Sequence, residues 1–228
     1  MTFIGNMMYR SIRSLGLFTL FSIGISAVTQ AALIAPTNTI DGADLSWNQS
    51  ESNILQTFDE QQDIAIKGNS IRVDYLIGQN LSLGQSFTGV NNSSSNLYLK
   101  EGTYSSHLLH FDPIGTKSGT AQHIRVEFTD NIIAVILGGE YLKLSDFLLG
   151  SATTYYEPSI SRRMETQDLF TLESENTLLV DKVSVGRYWT DDARVLTQKV
   201  PEPSSWALFG LGLLGLMGAR KITKYSAS

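Results

Sequence analysis

The chain has three histidines, His107, His110 and His123, and no cysteine. Thiolate nucleophiles, thiolate zinc sites and disulfides are therefore excluded. In a strand the side chains alternate between faces, so His107 and His110 point apart and do not hold one metal together. His110 and Asp112 share a face, and a carboxylate there can orient an imidazole for catalysis or metal binding. The same residues also read as a polar strand end that runs into the turn Asp112-Pro113-Ile114-Gly115. There is no Gly-x-Ser-x-Gly; Ser118-Gly119 is a small-residue loop. Cleavage of a glycosidic bond needs two carboxyl groups set across a groove. Glu51, Asp59, Glu60, Asp63, Glu101 and Glu127 could supply such a pair, in a chain acidic enough to offer pairs by chance.

Two acidic segments, Asp41-Gly42-Ala43-Asp44 and Asp191-Asp192, carry the hard oxygen donors that calcium takes. Neither has the EF-hand spacing, so no cofactor is expected, and calcium is the metal these donors suit best. Trp47, Tyr155, Tyr156, Tyr188 and Trp189 are candidates for stacking on sugar faces. In Tyr155-Tyr156 and in Tyr188-Trp189 a strand would send one ring to each face, so one ring of each pair belongs to the core. Asn48-Gln49-Ser50, Asn80-Leu81-Ser82 and Asn91-Asn92-Ser93 match the N-glycosylation pattern, a three-residue match with little force by itself.

The elements that must position these groups read as strands. Ile71, Val73, Tyr75 and Ile77 alternate with Arg72 and Asp74, and Ile124, Val126 and Phe128 alternate with His123, Arg125 and Glu127. Ile132 to Leu137, closed by Gly138-Gly139, reads as a strand buried on both faces. Further strands are expected over 63–67, 84–87, 96–100, 107–111, 178–185 and 193–197, with turns at Lys67-Gly68-Asn69 and across 91–96. A single short helical piece is expected over 145–149, capped by Ser145 or Asp146. Many short strands at this spacing predict a mainly β fold, an antiparallel β-sandwich of jelly-roll type, with a closed barrel as the alternative.

Both ends read as targeting segments. Arg10 and Arg13 precede an apolar run from Leu15 to Val28, and Thr29-Gln30-Ala31-Ala32 follows. This is the pattern of a secretory signal peptide over 1–31, cut after Ala31 or Ala32, with Met7 or Met8 as alternative starts. At the other end an uncharged run from Trp206 to Ala219 stops at Arg220-Lys221. It falls short of the roughly 20 apolar residues that span a bilayer, but flanking residues and snorkelling stems extend it. A transmembrane helix is expected over about 204–219. The positive-inside rule then places the C-terminus in the cytoplasm and the body, 32–197, outside. Without the charges of these ends, residues 32–200 carry 12 Lys and Arg against 21 Asp and Glu, near −9. An acidic surface has no counterion-release drive towards nucleic acid, so none is expected as partner.

Pro201-Glu202-Pro203, the glycine-rich apolar run and the Arg220-Lys221 stop together resemble the PEP-CTERM sorting signal of exported bacterial proteins. The resemblance covers 198–228. It implies Sec export, a transient membrane stage through the C-terminal helix, and recognition by an exosortase-type membrane protease near Pro201-Glu202-Pro203. It also implies a final place at the cell surface or in extracellular, polysaccharide-rich biofilm matrix. The segment Ile222 to Ser228 departs from the family, which commonly stops soon after its basic cluster. With no catalytic constellation in the body, a non-enzymatic surface or matrix protein is expected. The alternatives are a glycan-active enzyme with paired carboxylates and a permanently membrane-anchored surface protein.

Overall fold

The strands pair into antiparallel sheets, with β-strand burial alternating along 177–185 and nearly continuous along 104–111 and 191–197. The structure, a computed structural model, describes residues 33–35, 44–90, 94–115, 118–186 and 189–200. Thr177–Val185 (β12) pairs along its length with Gly119–Phe128 (β9) and, on its other edge, with Leu169–Ser174 (β11). Leu33–Ala35 (β1) and Ser86–Thr88 (β6) complete a sheet of order β1-β9-β12-β11-β6. The second sheet centres on Gly102–Phe111 (β8) and Asp191–Gln198 (β13), paired from Asp191↔Phe111 to Thr197↔Ser105. Gln56–Asp59 (β2), Asn131–Ile136 (β10) and Tyr75–Leu76 (β5) extend it to β2-β8-β13-β10-β5, and Ile64–Ile66 (β3) pairs with the start of β8. Arg72–Val73 (β4) and Leu97–Tyr98 (β7) form a separate pair.

One apolar cluster draws on both large sheets: Val126, Phe128, Phe170 and Val180 from the first, Leu109, Val135, Ala193 and Val195 from the second. The opposite face of the second sheet is buried too. There Ala134, Ile136 and Leu196 pack with Tyr141, Leu142 and Leu149 of the helix Gly139–Leu149 (α1). The strand around 132–137 is therefore buried on both faces, as its unbroken apolar run predicts. A register shift between Ile132 and Ala134 sends Ile132 and Val135 to one face and Ala134 and Ile136 to the other. A comparable change of face crosses β9 and β12 at one level. Ala121 with Ile124, and Val180 with Val183, each join the same cluster three residues apart, where His123 adopts φ 57°.

Two expectations are corrected. The alternating run 71–77 is not one strand. It breaks at Asp74 into β4 and β5, because the buried Asp74 carboxylate accepts the N–H groups of Leu137 and Gly138, both at 2.8 Å on Oδ2. The helix spans Gly139–Leu149 rather than 145–149, and neither Ser145 nor Asp146 caps it. Its first residue must be small: a Cβ at Gly139 would overlap the carbonyl of Ile160. Ser145 bonds back to the Leu142 carbonyl at 2.9 Å, and Asp146 faces two arginines. β1, β2 and β11 are not among the strands the pattern predicts; in β2 the polar Gln56 and Thr57 are buried beside Phe58 and mask any alternation.

The signal segment 1–31, the cleavage residues Ala31 and Ala32, Pro201-Glu202-Pro203, the 204–219 helix and Arg220-Lys221 lie outside the described residues. So do Asp41 to Ala43, Asn91 to Ser93 and Tyr188. Among the described residues no helix is long and apolar enough to cross a membrane.

Asp74→Ala leaves two buried N–H groups without an acceptor, and a loss of about 2–4 kcal/mol is expected from denaturant unfolding. Asp74→Asn keeps an amide oxygen and should lose clearly less. Equal losses would mean that the carboxylate is not holding the entry to α1.

Candidate functional site

Trp47 sits in a turn that local hydrogen bonds shape. Asp44 Oδ1 accepts from the Ser46 N–H at 2.9 Å and from the Ser46 hydroxyl at 2.5 Å, a side-chain mimic of a backbone turn. The Ser46 bonds hold the exposed Asp44 carboxyl below its usual range. Asn48 takes φ 65° and donates its N–H to Asp112 Oδ2 at 2.9 Å. The Leu45 N–H reaches the Tyr155 carbonyl at 2.9 Å and docks this turn on the segment that follows α1. That segment is ordered by the same chemistry. Glu157 Oε1 accepts from the Ser159 N–H at 3.2 Å, Ser159 Oγ accepts from the Ser161 N–H at 3.1 Å, and the two hydroxyls bond at 2.5 Å.

These two loops and the residues before β13 enclose a cleft of about 220 Å³, lined by Trp47, Glu157, Ser159, Ser161, Trp189 and Thr190. Trp189 is 48% exposed. Two indoles beside a carboxylate and two hydroxyls suit a sugar ring, with C–H faces on the indoles and hydroxyls on the polar groups. The cleft is smaller than the roughly 300–1,000 Å³ of pockets that enclose drug-sized ligands. Its volume fits one ring of a chain that passes across the surface.

A chain of buried charges supports the cleft from below. Arg194 and Arg162 are both fully buried. Arg194 holds Glu60 through Nε and one terminal nitrogen, both at 2.6 Å, and reaches Asp146 at 3.0 Å. Arg162 bonds Asp146 at 2.6 and 2.7 Å and Asp192 at 3.1 Å, and His110 Nδ1 lies 2.7 Å from Asp192. Burial opposes the charge on Arg194, but Glu60 and Asp146 outweigh it and keep the guanidinium above its ordinary pKa. Tyr156 donates to Glu60 at 2.7 Å and accepts from the Ser151 N–H at 2.7 Å. Burial, with the Glu60 charge beside it, pushes its phenol far up, so it remains a donor. The segment that carries Glu157, Ser159 and Ser161 is thus pinned at both ends, by Tyr156 and by Arg162.

The structure sorts the sequence candidates. It brings Trp47 and Trp189 together. Tyr156 turns inward to the ionic chain while Tyr155 is exposed, as expected of adjacent rings. His107 and His110 do face opposite sides. His107 meets Asp59 at 2.5 Å and Thr197 at 3.0 Å, whereas His110 takes Asp192 as its partner, not Asp112. Four of the six carboxylates considered for a glycosidic pair are held by other groups. Glu60 is held by Arg194, Asp59 by His107, Asp63 by Lys199 and Glu51 by the Gly115 N–H. None of the six lines the cleft. Of the calcium segment Asp191-Asp192, Asp192 is paired with Arg162 and bonded to His110. Glu157, Ser159, Ser161, Arg162 and Arg194 are absent from the sequence reading; the one signal was charge at Asp192 and Arg194 inside a strand otherwise apolar through 193–196.

Removing one partner of a buried pair leaves an unmatched charge and typically costs about 3–5 kcal/mol. Glu60→Leu should therefore lose that order of stability in denaturant unfolding, and adding Arg194→Met should restore part of it. A single substitution with no effect would show that the chain of charges does not carry the fold.

No curated protein and no solved structure gives a significant match to the chain. The model of the PEP-CTERM protein-sorting motif matches residues 199–221. The chain therefore carries, at its C-terminal end, the sorting motif of proteins that are exported and processed at the membrane by an exosortase.

Proposed function

We propose that the body, 32–197, is a non-catalytic β-sandwich that works at the cell surface or in the extracellular matrix and contacts polysaccharide through the Trp47–Trp189 cleft. The observation that carries this reading is the cleft itself: two indoles from distant parts of the chain meet a carboxylate and two hydroxyls. The apolar cluster common to both large sheets supports the sandwich. The tail motif supports the route. In this reading the Sec machinery exports the chain after the signal peptide 1–31, and the 204–219 helix holds it briefly with the C-terminus cytoplasmic. An exosortase then cuts near Pro201-Glu202-Pro203, with Arg220-Lys221 as the membrane stop. The body needs no cofactor for this role.

Affinity electrophoresis of the full chain against a polysaccharide panel, the producer's own matrix included, tests the binding. Retardation is expected, and Trp47→Ala and Trp189→Ala should each weaken it about 5- to 10-fold. No retardation, or retardation indifferent to both changes, rejects the cleft. Release of reducing sugar would instead favour a glycan-active enzyme.

Terminal peptide mapping of the protein from its native producer tests the route. The extracellular form should begin at Ala32 or Leu33 and end near Pro201-Glu202-Pro203. A membrane-bound form that retains Arg220 to Ser228 would make the tail a lasting anchor.

A further inference from the structure

β13 opens with two adjacent carboxylates, Asp191 and Asp192, both with 0% exposure. The strand period of two sends them to opposite faces. Asp192 is matched by Arg162 and His110. Asp191 is not matched: neither of its carboxylate oxygens has a hydrogen-bond partner. A buried ionisable group without a partner is expensive and calls for a counter-charge or a proton.

The loop before β11 brings two more carboxylates to Asp191. One oxygen from each of Glu165, Asp168 and Asp191 lies within 4.8 Å of the other two. The loop is built to present them. Asp168 Oδ1 accepts the Ser184 N–H at 2.8 Å and Oδ2 accepts the Glu165 N–H at 2.6 Å, and each oxygen keeps a lone pair for a further ligand. Gly89 and Val90 donate to the carbonyls of Asp168 and Met164 at 3.1 and 2.8 Å, and a Cβ at Gly89 would overlap the carbonyls of Met164 and Glu165. Asp168 is buried, while Glu165 is half-buried and stands at the rim, which leaves a way in from solvent.

Burial pushes the Asp191 carboxyl well up, and Asp168, Glu165 and Asp192 add to it. Burial raises Asp168 and Glu165 as well. Lys182 of β12 acts on Asp168 and Arg163 acts on Glu165 from a distance, but among the described residues neither forms an ion pair with the cluster.

We propose that Glu165, Asp168 and Asp191 form a calcium site that ties the 164–168 loop to the start of β13. The donors are all oxygens, with no imidazole or thiolate, which selects a hard cation. Calcium takes such oxygens at roughly 2.3–2.6 Å in adaptable geometry, so one ion bridges donors this far apart. Magnesium prefers a rigid octahedron at roughly 2.0–2.1 Å and keeps its waters, which fits three protein carboxylates of this spread less well. The site does not depend on the polysaccharide reading, because none of its three ligands lines the cleft.

Thermal unfolding of the chelator-treated full chain, with and without calcium chloride, tests the site. Calcium at saturating concentration should raise Tm by roughly 5 °C or more, and magnesium by clearly less. Asp191→Asn should have two opposite effects: a higher Tm without calcium, because a buried charge is removed, and no response to calcium. Glu165→Gln, at the half-exposed rim, should keep the fold and weaken calcium binding about tenfold or more in isothermal titration, so it decides the matter if Asp191→Asn fails to fold. A chain whose Tm ignores calcium, or a calcium response that survives both substitutions, overturns the proposal. Asp191 would then be a neutral, protonated acid.

Discussion

Arg194 is the constraint on which the second sheet and its coverings depend. A guanidinium can be taken fully out of water only if its donors are matched. Here all five N–H groups have acceptors: the Glu60 carboxylate twice, Asp146, the Ser145 hydroxyl and the Leu142 carbonyl. Those acceptors lie beyond the end of β2 and along α1. One side chain on β13 therefore fixes where the helix docks and, through Tyr156 on Glu60, where the segment after the helix runs. Apolar packing alone would tolerate a helix slid by a turn. A fully matched guanidinium does not, because any slide leaves buried N–H groups empty. The net gain in stability over an apolar substitute is small, and the gain in uniqueness is the more defensible role.

The start of β13 shows how closely different environments can be placed. Trp189 and Thr190 line the open cleft, Asp191 faces the acidic loop, and Asp192 joins the buried ionic chain. Four consecutive residues serve three sites because a strand alternates faces and rises only about 3.3 Å per residue. The asymmetry between Asp191 and Asp192 follows from which cations each face offers. Arg162 and Arg194 both lie on the Asp192 side, so the carboxylates of that side have cationic partners within the protein. The Asp191 side has carboxylates from two elements, and there the backbone N–H groups of Glu165 and Ser184 donate to Asp168.

Strand positions were legible where one face is apolar, as in β9 and β12, and where an apolar run is unbroken, as in β10. They were not legible in β2, where buried polar residues break the alternation, nor at Asp74, where a perfect alternation conceals a carboxylate that ends the strand. The helix start was hidden because Gly138-Gly139 reads as a strand stop, while the need for glycine there comes from the Ile160 carbonyl, distant in sequence. The candidate aromatic residues were legible by type. Their convergence was not, since Trp47, Glu157 and Trp189 are brought together by long-range bonds such as that of Leu45 to Tyr155. The His110 pairing failed for the same reason: a cross-strand neighbour on β13 outcompetes the carboxylate two residues along the same chain.

The junction between body and tail follows from the topology. β13 ends at Gln198, and the sorting motif begins at residue 199. β13 is no edge strand, because it lies between β8 and β10 and supplies Arg194. The second sheet therefore cannot close until the last residues before the motif have joined it. A body folded in this way has every described strand in place before any bond in the tail is cut, and cleavage anywhere beyond residue 200 removes none of them. The same adjacency leaves almost no linker: Lys199, the first residue of the motif, is already tied to Asp63 at 2.7 and 2.8 Å. A protease acting near Pro201-Glu202-Pro203 would have to work within a few residues of a closed sheet.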